Sequence, residues 1–329
     1  MGTRVVVTGG GGFIGAYLVR RLVRDGWDVT VVDTMVRGNA GRLAEIGDDI
    51  ALFTCDVRDQ GALEKAFAGA EVVIHLAAIN GTENFYKRPE LVLDVGLRGA
   101  LAVVNAGRNA GVRDLVVASS AEVYQTASVV PTPESVPLML PDSLNPRYSY
   151  GGSKIATELI AFDYAQDHYR QVQVFRPHNV YGPDMGYKHV IPQFIAKAAA
   201  ARDTTSGGRA PFQIQGDGSE TRAFCYVDDV VDGVLTMYQN GGHREIFHIG
   251  NDEEVSIRDL AIRVAKVVGA EVQICPTEAA AGGTQRRCPD ISKMRRLGYC
   301  PAVSLDDGLK PTAAWYLQHR GDVVSNDLM

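Results

Sequence analysis

Along the first half of the chain, short unbroken apolar runs take turns with longer stretches whose apolar residues recur at helical spacing. The runs are Val5–Thr8, Val29–Asp33, Ile50–Thr54, Val72–Leu76, Leu115–Ala118 and Val172–Phe175. None alternates polar with apolar positions, as expected of strands buried on both faces of a sheet. Between them the spacing predicts helices over Phe13–Asp25, Gln60–Phe67, Leu91–Ala110 and Tyr150–Tyr169. Strand and helix in rotation predict an α/β, Rossmann-type architecture, a doubly wound parallel sheet with helices on both faces.

After Arg176 the rhythm changes. Pro177–Lys188 is rich in Pro, Gly, Asn and His and reads as loop. A helix at Pro192–Ala201 and the polar stretch DTTSGGRAP follow. Then come short strands at Phe212–Gln215, Ile246–Ile249 and Glu271–Ile274, and helices at Val227–Tyr238 and Ile257–Val268. The pattern predicts a first unit over residues 1–177 and a smaller, interwoven α/β unit over 178–329, with some segments returning to the first sheet.

With 329 residues and 46% of them hydrophobic, the chain can build a sizeable core. A net charge of −6 argues against a general nucleic-acid binder, which would carry a basic stripe. Cys55, Cys225, Cys275, Cys288 and Cys300 form no CxxC pair, so neither a disulfide framework nor a zinc site is expected. Scattered thiols fit a reducing cytoplasm. The chain opens on the strand TRVVVTGG, so no signal peptide is expected, and no run approaches the ~20 apolar residues of a membrane span.

TGGGGFIG joins the first predicted strand to the first helix, with Gly9, Gly12 and Gly15 at GxxGxxG spacing. The first glycine permits a tight turn, the second a close approach to pyrophosphate, the third close helix packing. Phe13 and Ile14 begin the helix whose N-terminus then faces the anion. Asp33 closes the second strand, 18 residues after Gly15, where a carboxylate accepts from ribose hydroxyls and repels a 2′-phosphate. The expected cofactor is therefore NAD, with Arg37 as the one nearby counter-indication. Asp56, after the third strand, reads either as an adenine contact or as an Asx turn.

In YSYGGSK, Tyr150 and Lys154 stand four apart and share a helix face. A tyrosine of pKa near 10 is a poor base. A neighbouring ammonium and an oxidised nicotinamide favour its phenolate, so Tyr150 could take a proton from a substrate hydroxyl. Ser120, at the end of a predicted strand, would hold the same oxygen. Glu122, two residues on, is a charge that needs a partner or a task so near a buried strand. An NAD-binding sensor without catalysis would need none of Tyr150, Lys154 and Ser120.

On these motifs the chain resembles the extended short-chain dehydrogenase/reductases, in particular the NAD-dependent nucleotide-sugar epimerase/dehydratase family. The resemblance spans TGGGGFIG, VVD, CDV (Cys55–Val57), HLAA (His75–Ala78), SSAEVY, YGGSK, FRPHNVYGP (Phe175–Pro183), GDGSETRAFCYVDDVV (Gly216–Val231) and RRCPDISK (Arg286–Lys293). It implies that the first unit binds NAD, lined by Val57, Leu76, Ala77, Ala78, Ser119 and Pro177. It implies that the second binds a nucleotide-diphosphate sugar through Asn179, Arg222 and Arg287, the planar arginine fork suiting phosphate. It also implies a homodimer built on the helices at Leu91–Ala110 and Tyr150–Tyr169. One departure is DVGLRGA (Asp94–Ala100), where Gly96 replaces the family's usual Asn.

The family resemblance implies a common first step, oxidation of a sugar hydroxyl, usually at C4, to a ketone. A 4-epimerase needs no further acid or base and is the leading expectation. Ala121 stands where the 4,6-dehydratases of deoxythymidine-diphosphate glucose carry an Asp, which weakens dehydration. Decarboxylases of UDP-glucuronate share the Glu at 122. Lys188, six residues after Gly182, matches an acid/base lysine of the GDP-mannose 3,5-epimerases, so a Glu122/Lys188 pair is a further alternative. Against it stand pairing of Glu122 with a buried cation or with the carboxamide, and a surface or phosphate-binding role for Lys188.

Overall fold

A computed structural model describes residues 2–165, 167–204, 208–278 and 284–320. Its centre is a seven-stranded sheet, all neighbours parallel. The first half of the chain runs β1 (Arg4–Thr8), α1 (Phe13–Arg24), β2 (Asp28–Asp33), β3 (Ile50–Thr54), α2 (Gln60–Phe67), β4 (Val72–His75), α3 (Thr82–Lys87), α4 (Pro89–Ala110), β5 (Asp114–Ala118), α5 (Ser149–Leu159) and β6 (Gln171–Pro177). The second half runs β7 (Val180–Tyr181), α6 (Val190–Thr204), β8 (Ala210–Gln215), β9 (Thr221–Ala223), β10 (Cys225–Tyr226), α7 (Val227–Asn240), β11 (Glu245–Ile249), β12 (Glu254–Ser256), α8 (Ile257–Val268), β13 (Val272–Thr277), β14 (Arg286–Arg287), α9 (Ser292–Arg296) and α10 (Leu305–Gln318).

The strand order is β11-β6-β5-β4-β1-β2-β3. Buried apolar clusters lie on both sides of this sheet, one drawing on α1 and α7, the other on α2, α4 and the turn that follows α5. A third cluster joins α6, α8 and α10 in the smaller unit. The central strands carry the expected two-sided burial. Ile50–Thr54 does not: it is the sheet's edge, and Leu52 and Phe53 are exposed. The other outer strand, β11, comes from the second half of the chain and pairs Ile249 with Pro177.

Local chemistry sets the helix ends. Pro89 opens α4, where its missing N–H costs nothing, and Gly111 closes it in the left-handed region at φ 75°. The α5 helix stops at Leu159 and passes into a π turn over Ile160–Tyr164, instead of continuing as one helix to Tyr169. The segment read as loop, Pro177–Lys188, contains β7, which pairs with β10. Helix α3 and the short β9, β12 and β14 also lie outside what periodicity predicts.

Candidate active site

The candidate residues gather at the carboxyl ends of β1, β4, β5 and β6, the edge where open α/β sheets take ligands. Gly9 adopts φ 75°, and a Cβ there would lie 2.8 Å from the Ala77 nitrogen. A Cβ on Gly15 would come within 2.1 Å of the Gly9 carbonyl, so helix and loop can pack this closely only with glycine. Gly12 heads α1 with no side-chain cap and no acidic residue in the first turn, which holds Phe13 and Ile14. Its N–H groups are thus left to an anion.

Asp33 accepts from the Gly11 nitrogen at 3.0 Å and the Met35 nitrogen at 2.9 Å, fixing its carboxylate beside the glycine loop. Arg37 lies near Gly81 and within electrostatic reach of Tyr150, Arg42 and Arg88. Asp56 forms the Asx turn with the Arg58 nitrogen at 2.9 Å. Its carboxylate is also gripped by the Arg58 side chain, which holds its pKa below the usual value. Val57 is buried against Gly99. The Leu76 nitrogen donates to the Thr8 carbonyl at 3.0 Å, and Ala77 and Ala78 continue that strand end past the glycine loop.

Ser120 caps the short turn that follows β5, its Oγ accepting from the Glu122 nitrogen at 3.1 Å, and it stands close enough to the Tyr150 phenol to pull its pKa down. Tyr150 is buried, and burial pushes its phenol up to about 12, against the pull of Ser120. Lys154 lies one turn on. Its Nζ donates to the Ala118 carbonyl at 2.7 Å and sits 5.8 Å from the Tyr150 ring centre. Burial lowers Lys154 to about 8, with Glu158 opposing. Protein groups alone therefore do not produce the expected drop in the tyrosine pKa.

Glu122 has a partner. Arg287 Nη1 donates to its Oε1 at 2.6 Å, and Arg287 Nη2 reaches Thr284 Oγ1 at 3.3 Å. Burial would raise the Glu122 pKa, but Arg287, Arg147 and Arg222 outweigh it and hold the carboxyl below its usual value. Arg222 is itself lowered by burial and by Arg287. Asn179, at φ 39°, ties its amide to the Ala223 carbonyl at 3.0 Å. Lys188 pairs with Glu83 of α3, and Pro177 ends β6. Ser119 has its hydroxyl on Glu158 at 2.5 Å.

Sequence reasoning missed three parts of this site. Arg147 faces Glu122 with the other arginines. Phe85 of α3 stacks on Tyr150. Behind Lys154 runs a buried polar chain: Glu158 takes Arg176 at 2.8 and 2.6 Å, Arg176 reaches the Tyr124 hydroxyl, and Tyr124 meets His248 Nε2 at 2.7 Å. Glu158 was findable, since it repeats the four-residue step from Tyr150 to Lys154.

An uncapped glycine-loop helix, an anchored carboxylate at the end of β2, and a Ser-Tyr-Lys set on the same sheet edge define a dinucleotide-dependent enzyme that works on a substrate hydroxyl or carbonyl. The chain belongs to the NAD dependent epimerase/dehydratase family, whose model matches residues 5–250. It is 33% identical over 325 residues to a UDP-glucose 4-epimerase of Mycolicibacterium smegmatis, covering 95% of this chain and 98% of that protein. It is 29% identical to a UDP-N-acetyl-alpha-D-glucosaminuronate decarboxylase of Bacillus cytotoxicus, covering 98% and 100%. Among solved structures, a UDP-glucose 4-epimerase of Thermotoga maritima with UDP-glucose superposes at a TM-score of 0.84, with 26% identity over 97% of this chain and 100% of that one. A dTDP-glucose 4,6-dehydratase of Streptomyces venezuelae with NAD and TYD bound gives 0.86, with 28% identity over 97% and 98%. NAD is the cofactor, and the glycine cradle and Asp33 fit it. No helix among the described residues is long and apolar enough to cross a membrane.

Proposed function

We propose that the protein is an NAD-dependent epimerase of a nucleotide-diphosphate sugar that works through a transient 4-ketone and inverts C4. The observation that carries this reading is the state of Glu122. It is held ionised by Arg287, and its neighbour is Ala121, so no protonated acid stands at this position to expel a hydroxyl. When bound, NAD supplies the hydride acceptor and donor and a positive nicotinamide that favours the phenolate. Gly9, Gly12, Gly15, Asp33 and the first turn of α1 would hold it, with Pro177, Ser119, Val57 and Leu76–Ala78 around it and Asp56 near the adenine.

Tyr150 takes the proton from the sugar hydroxyl and returns it, Ser120 holds the oxygen, and Lys154 stiffens the β5 end through Ala118. Arg222 and Arg287, with Asn179, receive the diphosphate. That Glu122 and Lys188 each sit in an ion pair favours positioning roles for them over acid/base chemistry at C3 or C5. A homodimer through α4 and α5 is consistent with the exposed Leu93, Leu159 and Tyr164 on those helices and the turn after them, and we place the protein in the cytoplasm.

A second reading, decarboxylation of a uronate, is favoured by the Glu122–Arg287 pair, which shows that Arg287 can seat a carboxylate in this site. Incubation with UDP-, GDP-, CDP-, ADP- and dTDP-sugars, read by mass and NMR, separates the two. An unchanged mass with inverted C4 supports epimerisation. Loss of carbon dioxide, loss of water, or solvent deuterium at C3 or C5 overturns it.

A further inference from the structure

The catalytic tyrosine has an aromatic partner that neither the sequence motifs nor the proposed chemistry accounts for. Phe85 is 6% exposed, and its ring lies 5.1 Å from that of Tyr150, within 12° of parallel. Val92 of α4 completes the buried cluster, with Ala78 and Ile79 packed against it. Parallel ring pairs at this separation fix the plane of each ring, which an aliphatic side chain of equal bulk does not do.

The segment that brings Phe85 there is built to hold still. The Gly81 nitrogen donates to Asn80 Oδ1 at 2.7 Å, and Asn84 Nδ2 donates to the Asn80 carbonyl at 3.0 Å. Glu83 pairs with Lys87 on the same helix and with Lys188, on the segment that precedes α6. So α3 is tied at its N-terminal turn to the segment before α6, with Phe85 turned inward. The Tyr150 hydroxyl faces Ser120, and the charged groups around the ring are Lys154, Glu122 and Arg37.

We infer that Phe85 is a positioning residue for the reaction: its ring clamps the Tyr150 phenol in the plane that meets Ser120 and keeps water off its face. This rests on Tyr150 being the acid/base group. Small displacements of such a group cost up to about a hundredfold in rate, because the proton must travel along a short, aligned hydrogen bond. Phe85 does not form part of the arginine cluster that would take the diphosphate, so its loss belongs in kcat and not in KM. Burial is also what raises the phenol pKa, so opening this face to water lowers it.

The test compares Phe85→Ala, Phe85→Leu and Phe85→Tyr. Steady-state kinetics and the pH profile of kcat/KM are measured on the nucleotide sugar that the wild type turns over. Separately, protein labelled with 13C at tyrosine Cζ is titrated, with Tyr150 assigned through Tyr150→Phe. Phe85→Ala and Phe85→Leu are expected to lose about tenfold or more in kcat with KM moving less than about threefold, and Phe85→Tyr to stay near wild type. With NAD bound throughout, the Tyr150 midpoint in Phe85→Ala should lie about a unit below that of the wild type. Wild-type kcat and an unmoved limb in Phe85→Leu would show that bulk alone suffices and overturn the inference. So would a kcat loss that Phe85→Tyr fails to rescue while the Tyr150 titration is unmoved. If the wild type turns over no nucleotide sugar, the functional reading fails while the Tyr150 titration still tests the clamp.

Discussion

Glu158→Gln is the substitution whose cost the structure sets most directly. Glu158 and Arg176 are 3% and 2% exposed. The carboxylate accepts three bonds, from Ser119 Oγ at 2.5 Å, Arg176 Nε at 2.8 Å and Arg176 Nη2 at 2.6 Å. A glutamine carbonyl in place of Oε1 can keep two of them, from Ser119 Oγ and Arg176 Nε, but its amide then turns a donor toward Arg176 Nη2. Removing one partner of a buried pair costs about 3–5 kcal/mol, because the other charge stays in a place without water. Arg176 keeps the Tyr124 hydroxyl and the Glu134 carbonyl, so the low end, about 3 kcal/mol, is expected. In urea, at a slope of about 2–3 kcal/mol per molar, the midpoint should fall by about 1–1.5 M. A second signature follows from Lys154. Glu158 is the group that opposes burial there, so its charge holds Lys154 near 8. Without it, Lys154 loses its proton at lower pH and the alkaline limb of kcat moves down. A stability loss below about 1 kcal/mol, the scale of an exposed pair, would mean that water reaches these groups and would refute the reasoning.

Tyr150→Phe should lower turnover by about a thousandfold while the urea midpoint and NAD retention stay near wild type; retained turnover would remove Tyr150 from the chemistry. Glu122→Gln should change C4 epimerisation by less than about tenfold while altering KM for the nucleotide sugar, since it frees Arg287 and takes from Tyr150 only a neighbouring charge; a loss of about a thousandfold would make Glu122 a reacting group. Acid should unfold the protein through its histidines. His75 and His248 are lowered to about 3 and His178 well below its usual value, each chiefly by burial. Their ordinary value is near 6.5, so the unfolded chain binds more protons below that pH. The stability they contribute is complete above pH 6.5 and is lost as the pH falls toward 3, at about 1.4 kcal/mol per unit for each. Unfolding at pH 5 that takes up fewer than about one proton would contradict this.

The sheet and the gathering of Ser120, Tyr150 and Lys154 were legible because they are local. Val5–Val7 and Val29–Val32 announce buried strands by composition, and Tyr150 and Lys154 share a face by spacing alone. Partners distant in sequence were not legible. Nothing in ASSAEVY says that Glu122 meets Arg287, or that Ser119 bonds Glu158. Two-residue strands such as β7 and β14 are too short to carry a period. Six-residue α3 is likewise too short, and it hides Phe85. Ile50–Thr54 looked buried because an apolar run does not reveal that it lies at an edge, and nothing in Ile246–Ile249 says which sheet it joins.

That last placement has a consequence for the chain as it is made. β6 is buried only when β11 lies beside it, and the ribosome delivers β11 after everything between Pro177 and Glu245. At about 5–20 residues per second the interval is roughly 3–13 seconds. Throughout it, Val172, Val174 and Phe175, all fully buried in the finished protein, line an open sheet edge. Such an edge invites pairing with other chains. A nascent chain stalled before Glu245 should therefore be a client of chaperones, and the complete sheet a product of release and not of emergence.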